Sequence, residues 1–270
     1  MKRRTTFVAL AAVPIHEGQT FTEPLPATDA GHDEGEVSAA AEVLERLRVL
    51  VVAGIPVGVV AVGLGSRLAM LLLRLTSPQQ VRGIDSDDGF RIGQVTLAGT
   101  YNLLVIGAAI GIIGAGAYRA VAPWLIGPTW FRRFTTAAAS GAVVGSMLIH
   151  SDGVDFTLLK PTWLALGLFV ALPAAFGALI GPAVDSVSSS ASSTVRSRKR
   201  WVVPIILLAC FPPTLLLLPF AAAMVVASVV FRRAFPGVVT ARVRLAMQAI
   251  WLSIALAGLV ALVGDIQAVT

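Results

Sequence analysis

Cysteine is nearly absent. Cys210 is the only one, which rules out an intrachain disulfide and a cysteine-built metal centre. Charge is scarce too, at 13% of the 270 residues, where a soluble domain carries about a quarter. Of 21 basic residues only Lys2, Lys160 and Lys199 are lysine, a bias that reads as the coding preference of a GC-rich genome. The apolar runs hold no Asp or Glu, counting the first from Val49 and the last to Gly264. Coupled carriers commonly place acidic groups at the membrane midplane, so coupled transport is disfavoured. H-E-x-x-H, G-x-S-x-G and a P-loop are all missing. The glycines of IGAAIGIIGAGA miss the G-x-G-x-x-G spacing. His150, Ser151 and Asp152 are triad residue types, but neighbours on one loop seldom converge as nucleophile, base and orienter. No catalytic residue and no cofactor is nominated, and the reading leans away from an enzyme.

What remains is oil. Apolar residues make up 56% of the chain and the mean hydropathy is +0.82. The net charge of +6 does not point to nucleic acid, because the basic residues cluster at the ends of apolar runs, where orientation signals belong. Several runs approach the ~20 residues that a helix needs to cross a bilayer. The expectation is an all-α polytopic membrane protein of about six transmembrane helices, near residues 49–73, 95–117, 134–149, 161–184, 201–231 and 245–264. Trp124, Trp130, Trp163 and Trp201 fall at the inferred ends, as interfacial tryptophans do. The bilayer is the first partner, and the overall look is of a bacterial inner-membrane protein.

Composition divides the chain into four parts. Residues 1–41 read as a disordered tail, rich in Pro, Glu, Asp, Thr and Gly. Their opening MKRRTTFVALAAV has too short an apolar patch, and no clear cleavage site, for a signal peptide. Residues 42–184 read as a four-helix transmembrane bundle, 185–200 as a Ser-rich basic linker and 201–270 as a looser carboxy-terminal helix pair. Gly54/Gly58, Gly107/Gly111, Gly141/Gly145 and Gly177/Gly181 place one GxxxG in each of the first four spans. Helices in lipid associate where small residues let backbones approach, so these glycines are structural candidates.

With a cytoplasmic amino terminus, the basic loop from Arg119 to Arg133 and the cluster from Arg196 to Arg200 fall inside, as the positive-inside rule asks. Residues 83–93 and 150–160 then lie outside. The fifth segment is harder. A single crossing puts Arg232, Arg233, Arg242 and Arg244 outside, whereas a turn at Pro212 and Pro213 keeps them inside. Irregular backbone at membrane depth must be satisfied by protein or by a wet cavity. The six-span count takes the single crossing, with the re-entrant turn as the alternative.

The outer loops carry the acids. In GIDSDDGFRIG, Asp85, Asp87 and Asp88 approach a calcium-loop pattern, but one residue is missing before Gly89 and no glutamate closes it. Asp88-Gly89 is instead a favoured tight-turn pair, so a small extracellular β-hairpin is expected between the first two spans. Asp85, Asp87, Asp88, Asp152, Asp155 and His150 form an oxygen-rich outer set of the kind that suits Ca²⁺ or Mg²⁺. Arg67, Arg74, Arg82 and Arg91 share that region and can neutralise it, so loop-fixing ion pairs are expected rather than a metal. Arg67 lies within the first span but near its outer end, where it can snorkel. The expected role is a non-catalytic accessory or scaffold component of a cell membrane, with a membrane-protein partner or a second copy of itself. The alternative is a passive channel or small-solute permease, with the proline-broken fifth segment lining the path.

Overall fold

The computed structural model describes residues 30–76, 96–149, 161–193, 201–234 and 241–269. The chain divides into two compact units at residues 38 and 39, and every side chain named below belongs to the second. Among the described residues all regular structure is helical. Residues 83–93, where the hairpin is expected, lie outside them, as do 1–29 of the expected tail.

The first helix, α1 (Ala30–Gly58), begins inside the segment read as tail. Its GHDEGEVSAAAEVLERL is rich in Ala, Glu and Leu, all strong helix formers. A π-helical stretch, Val59–Leu64, joins it to α2 (Gly65–Thr76). Pro56 just before this stretch lacks the N–H that would continue the regular ladder. The wider turn keeps the backbone bonded, with Gly65 N–H donating back to Val60 O. Next come α3 (Leu97–Val121) and α4 (Thr129–Leu148). α5 is Thr162–Ser193, α6 is Val202–Cys210, α7 is Leu218–Ala234 and α8 is Ala241–Val269. α5 runs into the Ser-rich stretch read as a linker; Ser189 Oγ–H bonds back to Ser186 O at 2.8 Å there.

Among the described residues, five helical stretches are long and apolar enough to cross a membrane: Ala39–Thr76, Leu97–Trp124, Thr162–Ser189, Pro212–Val230 and Arg242–Ala268. This is the pattern of a multi-pass membrane protein, with five such stretches where about six were expected. The expected third span is the difference. α4 is a 20-residue helix, but Arg132 and Arg133 stand within its first five residues and Thr135, Thr136, Ser140 and Ser146 dilute the rest. Its most extensive contacts are with α5 and α8.

The eight glycines all lie where helices meet. α1 and α3 run antiparallel, with Gly54 against Gly111 and Gly58 against Gly107. A Cβ at Gly54 would stand 2.5 Å from Gly111 O, and one at Gly107 would stand 2.6 Å from Gly58 O. Only backbone lies opposite, so nothing there can rotate away. Gly141 faces Val170 and Ala174 of α5, and Gly145 faces Val170 and Leu262. Gly177 faces Ser140 and Thr136 of α4, while Gly181 faces the Tyr118 ring. Gly258 of α8 does the same against Val143 without belonging to any GxxxG.

Two apolar cores result. One gathers Val49, Leu50 and Ile55 of α1, Ala108 and Ile112 of α3, Ile180 of α5 and Val225 of α7. The other joins Leu73, Ala142, Ile149, Ala165 and Leu262. It therefore places the end of α2, the end of α4 and the start of α5 at one end of the bundle. Asn102 and Gln248 are polar residues within otherwise apolar helices, where bonds between helices would satisfy them. Asn102 instead stands exposed.

Long-range contacts decide the path of the fifth segment. Tyr101, in the first turns of α3, donates its O–H to Cys210 O at 3.2 Å, and its ring stacks on Phe211 with centroids 6.4 Å apart. The break is therefore level with the start of α3. At the other end of α7, Arg233 pairs with Glu42 at 3.2 Å and Ser228 accepts from Arg46 at 3.0 Å. From Phe211 to Arg233 the chain covers about 33 Å at 1.5 Å per residue, close to the ~30 Å hydrocarbon core. α6, with nine residues, reaches only about 14 Å. The segment thus turns at Phe211 and α7 returns to the end where α1 enters the bundle. Of the two paths the sequence left open, the structure takes the reversal.

Candidate functional site

The returning helix concentrates polar groups at the Glu42 end. Glu42 takes Arg46 from the next turn and Arg233 from α7, and Arg48 grips Glu45 at 2.6 Å. α3 also ends there. Its Arg119 Nη1 donates to Ser188 Oγ of α5 at 3.3 Å, and Tyr118 Oη donates to Asp185 Oδ2 at 3.1 Å. The chain then makes a short 3₁₀ turn, Ala122–Trp124, and passes through Gly127 at φ 89°. Only glycine holds that conformation without strain. α4 starts immediately afterwards behind Pro128, which supplies no side-chain cap.

These elements leave a cleft between α3, α4 and α5. It is shallow, with a cavity volume of about 10 Å³, room for about one water, and Tyr118, Thr129, Arg132, Arg133, Thr136 and Asp185 line it, with Gly177 and Gly181 as its floor. The two glycines keep the floor low: a Cβ at Gly181 would meet the Tyr118 ring at 3.0 Å, and one at Gly177 would meet Thr136 O at 2.8 Å. Arg132 Nη2 donates to Ala122 O at 3.0 Å, fixing the guanidinium across the turn, while its Nε is buried without a hydrogen-bond partner. The buried Thr136 hydroxyl returns to Arg132 O at 2.7 Å. Among the described residues lining the cleft Asp185 is the one carboxylate, set against two guanidinium groups.

Of the described residues singled out from sequence, Gly177 and Gly181 alone line this cleft. Asp85, Asp87, Asp88, His150, Asp152 and Asp155 are outside the described residues, and among the described ones no three His, Cys, Asp or Glu side chains converge. Arg67 is half-buried, its guanidinium packed over Gly99 in the first turn of α3. Pro212 and Pro213 open a 3₁₀ turn, Pro212–Leu217. Behind them Thr214 is 1% exposed, and both its N–H and its O–H donate to Phe211 O, at 3.0 and 2.7 Å.

Sequence reasoning passed over Tyr118, Arg132 and Asp185 as a group. The signal available was weak: one of only two tyrosines near the end of a span, and an aspartate just beyond another. Nothing local says that positions 67 residues apart meet. Compared with family models, curated proteins and solved structures, the chain matches none.

Proposed function

We propose that the chain is a non-catalytic accessory or scaffold component of a membrane, with its amino terminus and basic end on the cytoplasmic side. The sealed break in the fifth segment carries this reading. A transport site built on a discontinuous helix exposes its freed backbone to a polar path. Here Thr214 satisfies the Phe211 carbonyl, and Phe211 itself is stacked on Tyr101. The glycine contacts between α1 and α3 support the same reading, because they close the bundle backbone to backbone. Orientation rests on the positive-inside rule. The α7 return brings Arg233 to the end that carries Arg46, Arg48, Arg119, Arg132 and Arg133.

A channel or small-solute permease is the second reading, favoured by the broken helix alone. Purification of the full chain in mild detergent, with native mass spectrometry and a solute-flux assay in vesicles, separates the two. A stoichiometric membrane-protein partner, or a defined homo-oligomer without flux, upholds the accessory role. Solute flux that Pro212→Ala abolishes would overturn it.

A further inference from the structure

The cleft at the basic end has a chemistry that the accessory reading does not use. Arg132 and Arg133 stand side by side at its wall, and Thr129 opens the helix that carries them. No side chain caps the start of α4, which begins at Thr129 in the cleft lining, so its first backbone N–H groups have no side-chain partner there. Their partial positive charge adds to that of the guanidinium pair. Arg132 is braced by Ala122 O through Nη2 and keeps an unpartnered, buried Nε. The same turn is flanked by aromatic surface, with Trp130 69% and Phe134 66% exposed. Aromatic side chains at helix ends sit at headgroup depth, so this turn presents cationic and bilayer-facing groups together.

From this juxtaposition we infer that the open mouth of the cleft between α3, α4 and α5 binds the phosphodiester headgroup of an anionic membrane lipid. Arg132 and Arg133 are its charge partners, and the acyl chains run over Trp130 and Phe134. Basic pockets between membrane helices hold such headgroups elsewhere by the same electrostatics. A free anion has no use for the aromatic flank, which is why a lipid is the fitted source of the phosphate. Asp185 opposes the ligand, but Tyr118 ties it down at 3.1 Å and Arg119 sits one turn further along, on Ser188. Net charge at the mouth therefore stays positive. This site stands or falls independently of whether a protein partner exists.

The test uses the full chain in mild detergent micelles doped with phosphatidylglycerol or phosphatidylcholine, with bound lipid read by native mass spectrometry. Phosphatidylglycerol should be retained in preference to phosphatidylcholine. Each of Arg132→Gln and Arg133→Gln should weaken its retention about fivefold. Asp185→Asn should strengthen it, an effect that a purely structural aspartate would not produce. Arg242→Gln with Arg244→Gln removes charge outside the cleft lining and should change retention far less. If Arg132→Gln fails to fold, Arg133→Gln still decides the matter, because Arg133 is exposed. Equal retention of the two lipids overturns the inference. So does an equal loss from the Arg242/Arg244 pair, or ready displacement of the lipid by millimolar inorganic phosphate.

Discussion

Replacing Gly58 by alanine adds one methyl group where only the backbone of Gly107 and Gly111 lies opposite. Its Cβ would stand 2.8 Å from Gly111 Cα and N, where ordinary contacts begin at 3.4 Å. The opposing atoms are backbone, so α1 and α3 must separate by more than half an ångström. A gap of about 0.5–1 Å forfeits a quarter to a half of each dispersion contact along the seam. Overpacking of this kind costs about 1–3 kcal/mol. Alanine also favours the helical state by up to about 1 kcal/mol over glycine, so a matched control is needed. Gly167→Ala supplies it, because nothing lies within 4 Å of a Cβ there. Both variants go through reversible unfolding of the purified protein in mixed micelles with rising SDS, followed by circular dichroism. Gly58→Ala should fall below Gly167→Ala by about 1–3 kcal/mol, and Gly111→Ala should do likewise. Equal stability of Gly58→Ala and Gly167→Ala would refute the backbone-contact argument.

Other consequences follow from the same contacts. In a Cys210→Ser background, cysteines placed at Glu42 and Arg233 should be joined by a short bismaleimide, whereas Glu42→Cys paired with the native Cys210 should not; the opposite pattern removes the chain reversal. Tyr118→Phe and Asp185→Asn should each destabilise modestly and couple in a double-mutant cycle by about 1 kcal/mol, with zero coupling ruling out the bond. Glu42→Gln should cost about 1 kcal/mol or less despite losing two arginines, since surface ion pairs are screened. A much larger loss in the same SDS titration would mean that the pairs are shielded from water.

Much of this molecule is legible in order along the chain. Membrane residence follows from long runs without acid, because an unpaired carboxylate in hydrocarbon is too costly to keep there. The GxxxG pairs were legible in the sequence as small-residue faces; which atoms stand opposite each glycine comes from the fold. Gly258 was not legible, since a single glycine has no spacing to mark it. α4, expected as a span, is not among the stretches apolar enough to cross, because Arg132, Arg133, Thr135 and Thr136 dilute it, although it links the two ends of the bundle. Tyr118, Arg132 and Asp185 were invisible as a site because they come from three helices.

Sequence alone determined the environment and the positions where helices could approach, since both depend on what single segments do in lipid. It left the fifth segment with two paths, because proline and length permit a break without saying which way the chain leaves it. Only the tertiary structure chose, through Tyr101 on Phe211 at one end and Glu42 on Arg233 at the other. Those partners lie more than a hundred residues apart, and only packing brings such groups together.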